Sequence, residues 1–443
     1  MTRRQFARTA GIFTAMSYEK IVGANNRINF GFIGTGGRGT ALMEKCCLNR
    51  RDVNVAAVCD VYTPHHERAA TIIRREGGRL AVQFRDFRYL LGLKEIDAVV
   101  IATPDHWHAL MTIMACQAGK DIYLEKPISH SLFEEAPMIK AMKDHQRIVQ
   151  VGTQQQSDKI ITDAVNIVRS GTLGKINYAE CWIYWAPDLN TDPKDAAGLD
   201  WDMWLGPAPY TPYDPARAFF SWRYFLDYGG GKLTDWAAHF FTEILAATNH
   251  TEPLKVTAVG GIRHKKDHRN TPDDLVVTYD FGNLTCVFKH APWGPRKVNH
   301  GIEFTGPNGT LIVDRKNGYK TEGKVAQPII NGRPIPLTRK GEDRHSSQRH
   351  MDNFVQCIKT RDKPVSSLED HRATKMAHLG NIAYLSGQTV FVDPTTGTIS
   401  PAGLHKYLSR EYRPPWKLHL IKPQEDEKPR ESREDFYYLL KCF

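Results

Sequence analysis

The first residues in this chain whose types and spacing suit chemistry form a glycine turn, Gly34-Thr35-Gly36-Gly37-Arg38-Gly39. It follows an apolar, β-branched and aromatic run at 29–33 and precedes a helix-like segment at 40–48. A second apolar strand, 53–59, ends on Asp60, at the roughly 20-residue interval of a dinucleotide-binding βαβ unit. Gly34 permits the tight turn, Gly36 lets the backbone approach a pyrophosphate, and Gly39 lets the helix pack on the strand, with the helix N-terminus facing the phosphates. Thr35, Gly37 and Arg38 complete the turn as candidate cofactor contacts. Asp60 can accept hydrogen bonds from a ribose hydroxyl and would repel a 2′-phosphate. Val61 stands beside it where an arginine would welcome that phosphate, so NAD is expected ahead of NADP.

Three further groups carry reactive side chains. Glu125-Lys126-Pro127 ends a strand, and a lysine there can hydrogen-bond a substrate hydroxyl or hold a developing alkoxide beside a nicotinamide. Asp235 and His239 lie four apart after the run Gly229-Gly-Gly231, so in an α-helix they share a face. A carboxylate there can orient the imidazole and raise its basicity, which predicts His239 as a general base with a pKa near working pH. Thr103-Pro104-Asp-His-Trp-His108 follows another strand and reads as a loop lining the nicotinamide pocket, with Thr103, Pro104 and His108 as contacts. The plain alternatives are an exposed strand-end lysine, a capped amphipathic helix and a polar loop. No metal is expected, because the paired carboxylates that would accompany those histidines are missing nearby. His65-His66 opens a helix and reads as surface.

The elements that must position these groups are legible as period and punctuation. From 27 to 152 strands (97–103, 121–126, 148–153) alternate with helices (106–118, 132–145), the pattern of a doubly wound, mainly parallel sheet. Ligands in such sheets bind at the carboxyl ends of the strands, where Thr103, Lys126 and Thr153 fall. After a helix at 158–169, strands at 176–185, 255–260, 275–281, 284–290, 301–305 and 310–313 predict an open, mainly antiparallel sheet in a second domain, 153–417. An aromatic, proline-rich excursion at 188–228 is too long for an idle loop. Its Trp201, Trp204, Tyr210, Trp222, Arg223 and Tyr224 can stack on sugar rings; Trp222 and Arg223, with Gln154 past the strand edge, are candidate substrate contacts. Late helices at 350–359 and 369–385 are expected to pack back on the first domain.

Composition sets outer limits. The chain has 443 residues and a formal net charge of +10, spread rather than blocked. No segment approaches the roughly 20 apolar residues that span a bilayer, and no zinc-finger spacing, basic helix or RNP-like strand supports nucleic-acid binding. The basic stretch 263–269 reads as a solvated loop. Eight cysteines form no C-x-x-C pair and several sit in apolar runs, so buried free thiols are expected. At the N-terminus Thr2-Arg-Arg-Gln-Phe6 precedes a mildly apolar run and the small residues Val22-Gly-Ala24. Residues 1–26 therefore resemble a twin-arginine export signal, which predicts a periplasmic protein; a cytoplasmic one with a basic N-terminus is the alternative. The tail 418–443 is a charged extension with no assigned role.

Taken together, the glycine turn, Thr103-Pro-Asp-His-Trp-His108, Glu125-Lys-Pro127 and Asp235-x-x-x-His239 resemble the Gfo/Idh/MocA oxidoreductases, the family of glucose–fructose oxidoreductase and inositol dehydrogenase. The resemblance covers 27 to about 417. It implies an α/β fold: a Rossmann domain followed by an α/β domain with an open, mainly antiparallel sheet. It also implies Lys126 and His239 as the catalytic pair, Asp235 contacting substrate or orienting His239, Lys126 and Pro127, with Glu125, shaping the nicotinamide pocket as cofactor contacts, and a homo-oligomer, dimer or tetramer. Family members often carry an acid three residues after the histidine; here that position is Thr242, with Glu243 next door. The expected activity is hydride transfer between NAD, held tightly enough to be retained, and a secondary alcohol of a sugar, sugar derivative or cyclitol. Two rivals stand beside it: an NAD-dependent glycoside hydrolase that oxidises its sugar transiently, and a non-catalytic NAD-binding sensor.

Overall fold

The computed structural model describes residues 27–77, 81–191, 197–291 and 298–418. The export-like segment 1–26, the tail from 419 and Cys442 lie outside the described residues. The first sheet holds β1 (Ile28–Ile33), β2 (Val53–Cys59), β3 (Val82–Phe84), β4 (Ala98–Ile101), β5 (Asp121–Leu124) and β6 (Val149–Val151), all parallel, in the order β3-β2-β1-β4-β5-β6. The order reverses between β1 and β4, and that crevice is where a doubly wound sheet receives its ligand. Every residue of β4 and β5 is buried, because helices cover both faces; their sequence accordingly reads as an apolar run without alternation. β3 was not anticipated: it is three residues long, lies at the edge and exposes Val82.

The glycine turn feeds α1 (Gly37–Leu42), which runs on through a wider turn to Cys47. Gly34 has φ +85°, and a Cβ there would meet the Ala102 carbonyl oxygen at 2.7 Å. A Cβ on Gly39 would stand 1.9 Å from the Gly34 oxygen, so helix and strand approach as closely as only glycine allows. Gly36 and Gly37 have no such conflict: a Cβ on Gly36 would touch the His65 ring at 3.6 Å, and one on Gly37 would meet nothing within 4 Å. The remaining helices of this half are α2 (Thr63–Arg75), α3 (Phe87–Leu91), α4 (Asp105–Gln117) and α5 (Glu135–Asp144).

The second half begins with α6 (Lys159–Arg169), whose N-cap Asp158 accepts hydrogen bonds from Ile160 N and Ile161 N at 2.8 and 3.2 Å. Its sheet is built from β7 (Tyr178–Ile183), β8 (Lys255–Gly261), β9 (Asp274–Asp280), β10 (Thr285–His290), β11 (His300–Gly306), β12 (Gly309–Asp314) and β13 (Gly318–Gly323). The short β16 (Thr338–Lys340), β17 (Val390–Val392) and β18 (Ile399–Ser400) extend it, while β14 (Ile329–Ile330) and β15 (Arg333–Pro334) form a separate hairpin. The order is β16-β13-β12-β11-β7-β10-β9-β8-β17-β18, and only the β7–β10 pairing is parallel. The excursion contains α7 (Trp201–Leu205), and α8 (Ala238–Thr248) follows the glycine run. Leu275, Val277 and Tyr279 of β9 face a core shared with α6 and α8, whereas Val276 points outward.

The late helices divide between the two cores. α9 (Ser346–Thr360) packs Met351, Phe354 and Val355 on Phe30, Val55 and Tyr123 of the parallel sheet. α10 (Ala373–Ser386), placed with it by the sequence reading, instead puts Met376, Leu379 and Ile382 into the core of the second sheet. The seven described cysteines are buried and unpaired. Among the described residues no helix is long and apolar enough to cross a membrane.

Candidate active site

Lys126 leaves the carboxyl end of β5 and reaches the turn that leads into α8. Its Nζ donates to the Asp235 carbonyl at 2.5 Å and to Asp235 Oδ1 at 3.0 Å. Arg223 Nε at 3.3 Å and Lys232 Nζ at 3.4 Å converge on the same carboxylate. Burial opposes its charge, but the three cations hold the Asp235 carboxyl far below the usual range. Burial pushes the Lys232 ammonium down to about 8 even with Asp235 alongside. Asp105, buried near the same cations, is driven well above the ordinary carboxyl range by desolvation.

His239 departs from the expectation in two ways. Residues Leu233–Ala237 form a π-type turn, wider than an α-helix, so four-residue spacing no longer stacks Asp235 over His239. No hydrogen bond joins the two among the described residues. Burial first, then the charges of Lys126, Arg315 and Arg38, push the imidazole well below its ordinary pKa rather than near working pH. Its Nδ1 partner is Gln155, which the sequence offered no signal to find. The amide is oriented by its neighbours: its oxygen accepts from Arg315 Nε at 2.9 Å, and its nitrogen donates to Glu243 Oε1 at 2.7 Å and to His239 Nδ1 at 3.3 Å. The reverse orientation sets oxygen against carboxyl and nitrogen against guanidinium.

Beside this cluster lies a cavity of about 550 Å³. Gly34, Gly36, Gly37, Arg38, Asp60, Thr103, Pro104 and Glu125 line it, at the crevice between β1 and β4. Thr35 is buried beneath, its backbone N donating to Asp60 Oδ2 at 2.8 Å. Gly39 serves the packing of α1. His108 does not reach the cavity: its ring is buried between the carbonyls of Pro127 (2.6 Å from Nδ1) and Thr103 (3.0 Å from Nε2), tying the two loops together. Arg38 donates to Glu125 Oε1 at 2.6 Å and to Gln154 Oε1 at 3.2 Å, so Gln154 is engaged by the glycine turn.

The excursion closes over this cavity. Trp222 and Arg223, expected against substrate, line the same space as Gly36, together with Trp204, Phe219 and Phe220. Phe219 holds a left-handed backbone, φ 47°, with its ring 5.1 Å from Tyr62 and 6.2 Å from His65. Sequence marked the excursion as aromatic but gave no signal for which ring would cover the crevice.

The open glycines, the Asp60 carboxylate and the cavity volume fit a nicotinamide dinucleotide. Residues that could hold it are Gly36, Gly37, Asp60 and Thr103. Among the described residues no three or more His, Cys, Asp or Glu side chains are grouped to hold a metal ion.

Comparison with known proteins agrees with this geometry. Residues 28–153 match the oxidoreductase-family NAD-binding Rossmann fold, and 165–418 match the oxidoreductase-family C-terminal alpha/beta domain. The chain is 29% identical over 157 residues to an alpha-N-acetylgalactosaminidase of Shewanella oneidensis, a match spanning 34% of each protein. It thus spans about a third of that curated relative. Among solved structures, aldose-aldose oxidoreductase of Caulobacter crescentus, complexed with glycerol, superposes with TM-score 0.63 at 18% identity, covering 83% of this chain and all of that one. The WlbA dehydrogenase of Bordetella pertussis, in complex with NADH and UDP-GlcNAcA, gives 0.62 at 17% identity, covering 83% and 99%. With both of its domains matched in order, the chain belongs to the Gfo/Idh/MocA oxidoreductase family, a nicotinamide-binding Rossmann domain followed by that family's C-terminal α/β domain.

Proposed function

We propose that this protein transfers a hydride between a nicotinamide cofactor and a secondary alcohol of a sugar, sugar derivative or cyclitol. The observation that carries the reading is the Lys126–Asp235 ion pair, which joins the strand edge of the first domain to the second beside the dinucleotide cavity. The nicotinamide, when bound, supplies the hydride acceptor or donor. The chain's own contribution is positioning and electrostatics. Asp235 fixes the Lys126 ammonium by two contacts, so a substrate oxygen meets a donor already held in place. His239 addresses the same oxygen as a neutral imidazole. Lys126, Lys232 and Arg223 share the Asp235 carboxylate, three cations on one anion, a field that favours an alkoxide.

NAD rather than NADP is the cofactor this reading assigns, because Asp60 faces the cavity and Arg85, which also lines it, turns Nη2 to the carbonyls of Val61 and Gly198. Closure by the aromatic excursion supports a cofactor retained between turnovers. That feature, with the similarity to an alpha-N-acetylgalactosaminidase over part of the chain, favours one second reading: a glycoside hydrolase in which oxidation, elimination and return of the hydride occur on one bound cofactor. A homo-oligomer belongs to the same reading. Val259, Val276 and Phe391 stand on the open face of the ten-stranded sheet at 70, 39 and 49% exposure, an apolar surface suited to a second copy.

The deciding experiment follows the near-ultraviolet absorbance of NADH while the protein, with NAD⁺, meets free sugars, cyclitols and chromogenic glycosides. Steady NADH formation with one sugar, lowered about 10²–10⁴-fold in Lys126→Ala and His239→Ala, is the expected result. Aglycone release without net NADH selects the glycosidase. No turnover with any compound, and NADH binding unchanged by both substitutions, selects a sensor and overturns the proposal.

A further inference from the structure

The cluster behind His239 goes beyond the pair of residues that hydride transfer requires. Gln155 follows the carboxyl edge of β6, Glu243 sits one turn after His239 on α8, and Arg315 follows β12. Arg315, Glu243 and His239 converge on the single side-chain amide of Gln155. Arg315 Nε donates to its oxygen at 2.9 Å, which commits the amide nitrogen to the other side, where it donates to Glu243 Oε1 at 2.7 Å and to His239 Nδ1 at 3.3 Å. Gln155 is 2% exposed, Glu243 3% and His239 6%, so water does not compete for these contacts. An amide nitrogen carries only donors. The imidazole nitrogen facing it must therefore be the acceptor, and a neutral ring then keeps its proton on Nε2.

We propose that Gln155, locked by Arg315 and Glu243, is a positioning residue that holds His239 as the Nε2–H tautomer, so that the imidazole serves the reacting oxygen as a hydrogen-bond donor and not as a proton acceptor. The inference rests on the oxidoreductase reading for its meaning, though not for its test. Nε2 of His239 has no hydrogen-bond partner among the described residues, so its N–H is free for substrate. A ring presented this way suits a carbonyl or alkoxide oxygen. Drawing a proton from a neutral alcohol would need the other tautomer, with the amide turned over and the Arg315 hydrogen bond lost. In the direction of reduction the ketone carbon would receive the hydride from the nicotinamide and its oxygen the proton from the Lys126 ammonium, with His239 Nε2–H holding that oxygen, so the site holds the keto form of its substrate better than the alcohol. Glu243 completes the lock by accepting from the amide nitrogen; burial pushes its carboxyl well above the ordinary range, with Arg315 opposing. The family's more usual acid position, occupied here by Thr242, is turned away, its hydroxyl donating back to the Ala238 carbonyl at 2.8 Å.

The test uses the full chain labelled with ¹⁵N-histidine, the His239 signals being assigned by their loss in His239→Gln. In the wild type Nδ1 is expected in the pyridine-like range and Nε2 in the pyrrole-like range at neutral pH. Gln155→Leu is expected to bring the mixed or Nδ1–H pattern, whereas Glu243→Gln, which keeps an acceptor oxygen in place, preserves the wild-type pattern. With a working substrate, Gln155→Leu lowers kcat about tenfold or more with KM changed little, and weakens a keto inhibitor more than the alcohol. A protonated Nδ1 in the wild type, or a tautomer unmoved by Gln155→Leu, overturns the proposal whether or not a substrate is known. An Nε2–H tautomer in a protein without turnover leaves the inference standing and removes the oxidoreductase reading instead. Should Gln155→Leu fail to fold, the wild-type spectrum alone decides.

Discussion

At the scale of single residues, the site is governed by how many cations share one carboxylate. Asp235 is half-buried and answers Lys126, Lys232 and Arg223 at 3.0, 3.4 and 3.3 Å. Replacing it by Asn keeps the shape and removes the counter-charge, leaving the buried Lys232 ammonium and the half-buried Lys126 and Arg223 without their anion. Asp235→Asn is expected to cost on the order of 3–5 kcal/mol in chemical denaturation and to abolish turnover. A loss below about 1 kcal/mol would mean that solvent reaches the cluster. The pH dependence follows with a definite sign. A carboxyl held below its unfolded value of 3.8 contributes stability that is fully present above that value and lost as pH falls through the folded one. The acid limb of the stability curve should therefore be steeper in the wild type than in Asp235→Asn.

Elements matter here where backbone approaches backbone. Gly39→Ala drives a Cβ against the Gly34 carbonyl, and nothing in a strand-to-helix turn can yield cheaply. It is expected to destabilise by at least about 1–3 kcal/mol and to remove NADH binding, whereas Gly37→Ala, with no atom within 4 Å of its Cβ, folds normally. Both outcomes are read by thermal unfolding and cofactor fluorescence. The excursion supplies a second prediction. Phe219 is a bulky residue with φ 47°, kept there by Tyr62 and His65 while its ring covers the cavity. Phe219→Ala should weaken NADH binding roughly tenfold, the loss of about 1.4 kcal/mol, and Phe219→Gly should do the same although it relaxes the backbone. An affinity unchanged in both would show that the ring does not cover the cofactor.

At the scale of the whole molecule, the two cores are stitched by the returning chain: α9 packs Phe354 5.9 Å from Phe30 of the parallel sheet, while α10 belongs to the antiparallel one. The helix pair thus divides between the two cores. The outer face of the second sheet is left to the proposed second copy. Light scattering should give a dimer or tetramer for the wild type and a monomer for Val259→Asp combined with Val276→Asp. A wild-type monomer would end that proposal.

Much of this was legible because it follows from local rules. Glycine at 34 and 39 is dictated by a positive φ and by a backbone contact, apolar runs at 98–101 and 122–124 by burial on both faces, and alternation in 274–280 by a sheet covered on one side. These need no partner from a distance, so the fold, the dinucleotide crevice and the position of Lys126 at its edge were determined by the sequence itself. What needed the tertiary structure is every choice of partner. Asp235 was free to orient His239 or to bind cations, and the π-type turn together with the arrival of Lys126 decided it. His108 was free to face a cofactor, and two loop carbonyls claimed its ring. Gln155 is one of three consecutive glutamines, indistinguishable until Arg315 and Glu243 are brought to it from distant strands and helices. Spacing along a chain sets which residues share an element; packing in a medium of low dielectric decides which of them are left with each other.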